Sequence, residues 1–179
     1  YAETTTARAR AASGGNEWLE LRRRVLTLLD EQARLERMAR IIGKDALPAR
    51  QRLTLANAEL LNEAFLRQSA FSEFDRYCGP ERQAAMARLL ARFIERSERA
   101  LADGVTPEAI AAMPLLRRMM RMGEEIDERD AAAMRDAFAK LEAQLEAAFD
   151  AAAASAGDSP ASPAPGAPSP AAPVGTAAE

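Results

Sequence analysis

Apolar side chains recur at intervals of three and four residues through most of the chain, which is the spacing of one α-helix face. The first stripe runs from Trp18 to Ile42. Gly43 follows directly, at the position where a glycine commonly ends a helix. After a turn, the same spacing predicts a second helix from Leu53 to Gln68.

The next break is at Gly79 and Pro80, where proline is well placed for the first position of a helix. A third apolar stripe follows and stops at Gly104. Thr106 and Pro107 then provide a helix N-cap and a first helical residue, so they predict a fourth, short helix.

The last part of the pattern contains a basic amphipathic piece, Leu115 to Met122, and a long final helix from about Glu128. The final stripe includes Met134 and Phe149. No segment alternates convincingly with period two. The sequence therefore predicts an all-α fold, a helical bundle of about five to six helices.

Both ends of the chain differ in composition from the middle. Residues 1–16 are rich in Thr, Ala and Arg and predict an irregular lead-in. Residues 17–150 carry the helical pattern and form the predicted domain. Residues 151–179 are rich in Ala and Pro and contain almost no large apolar side chain. Such a segment buries too little surface to offset its ordering entropy, so we expect a disordered tail.

Composition excludes several classes of function. The chain has no histidine and one cysteine, so it cannot hold a Ser-His-Asp triad, a Cys-His pair or a His-ligated zinc ion. Its formal net charge of -3 argues against nucleic acid as a partner. No apolar run approaches the roughly 20 residues of a membrane helix, so we expect no direct membrane insertion.

Three short segments hint at a site, and each also has an ordinary structural interpretation. Gly43 and Lys44 resemble the end of a phosphate-binding loop, but the rest of that motif is absent. The acidic residues 124–128 could bind a cation, or could form a solvated link before a helix. The piece Leu115–Met122 could bind a membrane or a groove, or could fill the core with methionine.

The connection before Gly79 contains a second kind of candidate. Gln68, Phe71, Phe74 and Tyr77 cluster there, between two predicted helices. Aromatic and amide side chains in a loop can form the wall of a planar ligand site, although loop packing is the commoner explanation. Cys78 has no histidine to activate it, so we expect a small buried apolar residue.

Four short motifs in register resemble the C-terminal helical domain of the catalytic A subunit of V-type and archaeal-type (A-type) rotary ATPases. That family shows VG-x-DALP, RLTL, FLQQNAF and D-x-YCSPEKQ in this order and at this spacing. The corresponding residues here are 42–48 (IGKDALP), 52–55 (RLTL), 65–71 (FLRQSAF) and 75–83 (DRYCGPERQ). The resemblance covers about residues 18–149, with Arg67 and Ser69 as departures.

The resemblance implies a position beside a nucleotide. In the family, the segment corresponding to residues 68–71 lies against the adenine side of the site, so the resemblance implies Gln68, Ala70 and Phe71 as the candidate adenine-wall residues. The implied cofactors are ATP or ADP with Mg²⁺. The ligands of the phosphates and of Mg²⁺ lie in an upstream α/β domain, outside this chain, and no catalytic or metal-binding residue is implied here.

The resemblance also implies partners and a place in the cell. These are B subunits of an alternating A/B hexameric ring and the central-stalk rotor subunits, in the cytoplasmic ATPase sector peripheral to the membrane. The parent complex would be an ion-translocating ATPase or ATP synthase, moving H⁺ or Na⁺, whereas this fragment alone is expected to be inactive. The alternative is a free-standing helical protein-interaction module with no nucleotide role.

Overall fold

The computed structural model describes residues 16–67 and 78–157, and these ranges contain helices and no strand. The all-α fold is therefore confirmed for the described part of the chain. Its six α-helices are α1 (Asn16–Ile42), α2 (Ala49–Leu61), α3 (Pro80–Ala102), α4 (Pro107–Ala111), α5 (Leu115–Glu125) and α6 (Ala131–Gly157), with a 3₁₀ turn at Lys44–Ala46 and a π-helix at Asn62–Leu66.

Helices α1 and α2 form an antiparallel hairpin. Gly43 ends α1 with a φ of 88°, a conformation that favours glycine because it has no Cβ. Leu47 is buried with Leu35 and Leu55 in a small cluster between the two helices. A guanidinium N–H of Arg52 donates to the Leu47 carbonyl at 2.7 Å and so closes the turn.

Helices α3 and α6 run parallel to one another. Arg92 contacts Glu146 at 2.7 Å and Arg96 contacts Asp150 at 2.6 Å, so one helical turn forward on α3 is also one turn forward on α6. The rings of Phe93 and Phe149 pack between these ion pairs, with centroids 5.3 Å apart. Because the helices are parallel, the chain must cross back through α4 and α5 before α6 begins.

Helix α5 supplies much of the core through its methionines. Met119 and Met122 are completely or almost completely buried, in one cluster with residues of α2, α3 and α6. The structure therefore confirms core packing, the second interpretation of the basic amphipathic piece. Its arginines lie on the exposed face, and Arg118 donates to the Gln144 side chain on α6.

A buried polar pair fixes the register between α2 and α3. The Asn57 amide nitrogen donates to the Ser97 hydroxyl at 3.0 Å, and the hydroxyl donates to the Ile94 carbonyl at 2.8 Å. Both side chains are buried. Sliding either helix would leave the Asn57 amide without its Ser97 partner in an apolar environment, which is costly.

Two helix boundaries and the burial of one residue differ from the sequence predictions. Helix α2 begins at Ala49 and not at Leu53, because Pro48 already precedes a helical turn. Ile42, the last member of the first stripe, is 52% exposed because the hairpin turns away there. The helix at residues 151–157 contradicts a tail beginning at 151: Ala152 and Ala156 pack against the core. The rest of the predicted tail, like residues 1–15 of the lead-in, lies outside the described residues.

Replacing Phe93 by alanine should destabilise the protein by about 3–5 kcal/mol, because it removes a large buried ring and leaves a cavity against Phe149. The free energy of unfolding, measured by urea denaturation of the full chain, checks this. Leu26, which is 49% exposed, is the control, and Leu26→Ala should cost less than about 1 kcal/mol. Equal losses in the two variants would contradict the described core.

Candidate functional site

The predicted adenine-wall residues lie outside the part of the chain that the structure describes. This holds for Gln68, Ala70 and Phe71, and also for Phe74 and Tyr77. The structure describes what lies on either side of them. We call residues 62–67 the upstream flank and residues 78–82 the downstream flank of the candidate segment 68–77.

The upstream flank is a π-helix that continues α2 without a break. Its amide Asn62 donates to the Gln32 side chain of α1 at 2.9 Å, and Ala64 is buried in the main core. The Arg67 N–H closes the last turn on the Asn62 carbonyl at 2.8 Å. A π-helix is uncommon and is often found at functional sites.

The downstream flank is attached to the link between α5 and α6. The Gly79 N–H donates to the Glu128 carboxylate at 2.6 Å. Pro80 is the first residue of α3, as predicted, and the Gln83 N–H closes the first turn on the Gly79 carbonyl at 2.9 Å. Cys78 is partly buried against the core.

One turn further, Arg82 makes a second attachment. Its side chain is 1% exposed and donates to the carbonyl of Gly123, in the last turn of α5. The C-terminal end of a helix carries partial negative charge, which suits a buried guanidinium. The first turn of α3 is thus tied to α5 by a charge-assisted hydrogen bond.

Both flanks of the candidate segment depend on α5. The π-helix packs against α5, and Arg82 of the downstream flank hydrogen-bonds to it. Phe65 and Cys78, one from each flank, pack against the same core cluster. Helix α5 therefore fixes the two points between which residues 68–77 run.

The acidic residues of the link have structural partners. The Asp127 carboxylate accepts the Arg129 backbone N–H at 2.9 Å and also its guanidinium. Asp130 accepts the N–H groups of Ala132 and Ala133, so it is the N-cap of α6. Within residues 16–67 and 78–157 there is no group of three or more acidic or cysteine side chains placed to hold a metal ion.

Sequence reasoning misses the two residues that hold the downstream flank, Arg82 and Glu128. It places Glu128 among acidic residues that could bind a cation or form a solvated link, at about the start of the final helix, whereas the Glu128 carboxylate reaches a residue 49 positions earlier in the chain. The local signal is limited to an arginine and a glutamate far apart along the chain. Nothing in the sequence spacing indicates that Arg82 contacts Gly123 or that Glu128 contacts Gly79.

None of the helices among the described residues is both long and apolar enough to span a membrane.

The pKa of Asp127 is lowered, first by the Arg129 backbone N–H and then by the Arg129 guanidinium, with the Arg82 charge adding to the effect. A lowered pKa stabilises the fold above the unfolded value, near 3.9, and this contribution disappears as the pH falls through the folded value. We expect the difference in unfolding free energy between the native chain and Asp127→Asn to be constant above about pH 5 and to shrink below about pH 4. Urea denaturation across this range measures it; a difference independent of pH would contradict the assignment.

Comparison with known proteins gives one consistent family. Residues 11–110, more than half of the chain, match the model of the C-terminal domain of V and A type ATP synthase. Over 133 residues, 74% of this chain, it is 38% identical to the A subunit of the A-type ATP synthase of Pyrococcus horikoshii and, over the same length, 38% identical to that of Thermococcus onnurineus. The protein of the same name from Methanopyrus kandleri is 34% identical over 132 residues. The chain spans only 14% of the first relative and 22% of the other two.

Proposed function

Because this chain belongs to the family of C-terminal domains of V- and A-type ATP synthases, we propose that it joins a nucleotide site to a rotating shaft. It would form the helical end of a catalytic A subunit. The observation that carries the proposal is an arrangement: the last described residues before the candidate segment and an exposed apolar hairpin turn lie at opposite ends of one continuous helix.

The nucleotide end is the candidate segment 68–77. Gln68, Ala70 and Phe71 would close the adenine side of the site, since a flat apolar wall buries a base without needing hydrogen bonds. The described residues contain no acidic cluster for a metal ion. The proposal therefore assigns the Mg²⁺ ion and the phosphates of ATP or ADP to another domain.

The shaft end is the turn between α1 and α2, residues 41–47, which we call the hairpin apex. Ile41 is 84% exposed and Ile42 is 52% exposed. Two adjacent isoleucines in water at the tip of a hairpin are suited to contact with another protein surface. Lys44 and Asp45 beside them add charge that could set the orientation of a partner.

A single helical element connects the two ends. From Ala49 to Leu66 the chain is helical throughout, α2 leading directly into the π-helix, and at 1.5 Å per residue its length is about 25 Å. Buried Leu53, Leu60 and Leu61 and the Asn57–Ser97 pair hold it in the bundle. A tilt imposed at the nucleotide end would therefore move the apex as part of a rigid body.

The remaining parts of the proposal follow from the family. The partners would be B subunits of an alternating A/B ring and the central-stalk rotor subunits. The complete assembly would be an ion-translocating ATPase or ATP synthase, acting at the membrane surface and moving H⁺ or Na⁺. The isolated chain would show no ATPase activity, since the proposal assigns the phosphate and Mg²⁺ ligands to another domain.

Replacing Phe71 by alanine in the assembled enzyme should weaken binding of MgADP, because the base loses a stacking surface worth about 1–3 kcal/mol by analogy with nucleic-acid binding. Equilibrium titration of the nucleotide measures the change. Leu66→Ala, which removes an exposed apolar side chain just before the segment, is the matched control and should bind normally. Unchanged affinity in the Phe71 variant would remove this residue from the site.

Replacing Ile41 and Ile42 together by serine should reduce the ion transport or rotation obtained per ATP, while nucleotide affinity stays unchanged. The reason is that the apex would lose its apolar contact with the shaft and leave the distant site intact. Rotation of single assembled complexes, compared with ATP turnover, measures the coupling. Leu26→Ser, the same kind of change on an exposed face of α1, is the control.

The two variants also separate the alternatives. Normal nucleotide affinity in Phe71→Ala together with normal coupling in the apex variant would favour the second candidate, a helical interaction module with no nucleotide role. A loss in either variant, with its control unaffected, supports the corresponding half of the proposal.

A further inference from the structure

The N-terminus of α3 has no side-chain cap of its own. Its N-cap residue is Gly79, which has no side chain, and Pro80 follows it. In a capping box the third helical residue is glutamate or glutamine and accepts the N-cap N–H. Here that residue is Arg82, a donor only, and its side chain is used on the Gly123 carbonyl.

A carboxylate from a remote part of the chain takes over this function. Glu128, on the link between α5 and α6, accepts the Gly79 N–H at 2.6 Å. It is the interaction that the third helical residue makes in a capping box, supplied here from 49 positions away. The carboxylate also places negative charge at the positive end of the α3 dipole.

Gly79 and Glu128 are sterically matched. The φ of Gly79 is -67°, which any residue can adopt, so backbone freedom does not require glycine here. A Cβ at this position, however, would lie 2.9 Å from a Glu128 carboxylate oxygen and 3.2 Å from its Cδ, so the flexible end of the Glu128 side chain would have to move away from the Gly79 N–H. A serine at this position could cap the helix with its own hydroxyl.

We propose that Glu128 is a positioning residue that caps α3 in place of the side chain absent at Gly79, and so sets where the candidate adenine-binding segment ends. The part that concerns the nucleotide rests on the proposed function. Tyr77, the last residue of the segment, is separated from Gly79 by Cys78 alone in the sequence.

The link is built to hold the Glu128 carboxylate in place. Ile126 is buried on one side of it. Asp127 forms a turn with Arg129 on the other side of it. Since α5 also supports the π-helix of the upstream flank, a movement of α5 and its link would reach both flanks of the candidate segment together.

The first experiment is a mutant cycle on the cap, using amide hydrogen exchange of peptides covering residues 79–85 in the assembled enzyme. Glu128→Ala should accelerate exchange by about fivefold to tenfold, the effect of losing a helix cap. Gly79→Ser should also accelerate it, since its Cβ meets the carboxylate. The double variant should exchange more slowly than either single variant, because the serine can then cap the helix. Additive acceleration in the double variant would overturn the cap assignment.

The second experiment asks whether the cap acts on the nucleotide site. Glu128→Ala should weaken MgADP binding by about threefold to tenfold, since small displacements of a recognition group are costly. Glu128→Gln keeps an oxygen acceptor for the Gly79 N–H and should restore most of the affinity. Asp130→Ala removes the cap of α6, two residues away, and should leave the affinity unchanged.

The results separate this inference from the function on which it rests. If Phe71→Ala weakens MgADP binding and Glu128→Ala does not, the positioning role is overturned and the proposed nucleotide site stands. If Asp130→Ala weakens binding as much as Glu128→Ala, the effect is general destabilisation and the positioning role is again overturned. If Phe71→Ala has no effect, the proposed site falls, and the exchange cycle alone decides whether Glu128 is the cap.

Discussion

The parallel packing of α3 against α6 is the constraint on which the rest of the structure depends. The Phe93–Phe149 contact and the flanking ion pairs of Arg92 and Arg96 require both helices to run in the same direction. Two successive long helices can be parallel only if the chain returns across the bundle between them. The chain returns through α4 and α5, and α5 thereby contacts both flanks of the candidate segment.

The crossing also explains why a charged side chain is buried where α3 begins. The last turn of α5 presents the Gly123 carbonyl to the first turn of α3, and Arg82 donates to it from a position that is almost fully buried. Burying a guanidinium is costly unless its hydrogen bonds are made. The helix end and Asp127 supply negative charge nearby, so the joint between α3 and α5 is polar and specific in its geometry.

A rigid helix with different chemistry at its two ends gives the fold its proposed use. Along α2 and the π-helix the interior is apolar apart from the Asn57–Ser97 pair, which resists sliding. One end leads into the candidate nucleotide segment and the other ends at the isoleucines of the hairpin apex. The cap formed by Glu128 would add a second connection through which movement could be transmitted. It joins the link before α6 to the downstream flank of the candidate segment.

Local spacing was enough to predict the all-α class, the Gly43 stop, the Pro80 start and the Thr106 cap, whose hydroxyl accepts the Ala109 N–H at 3.2 Å. Each of these depends on residues within one helical turn, so the order of residues reveals it. Packing between helices was needed to establish that Ile42 is exposed, that α2 passes into a π-helix and that Glu128 meets Gly79. Those outcomes depend on which elements come together in space, and a pairing across 49 residues leaves no periodic trace in the chain. For the candidate site, the sequence therefore indicated the segment through its resemblance, whereas the structure supplied the contacts that hold its two flanks.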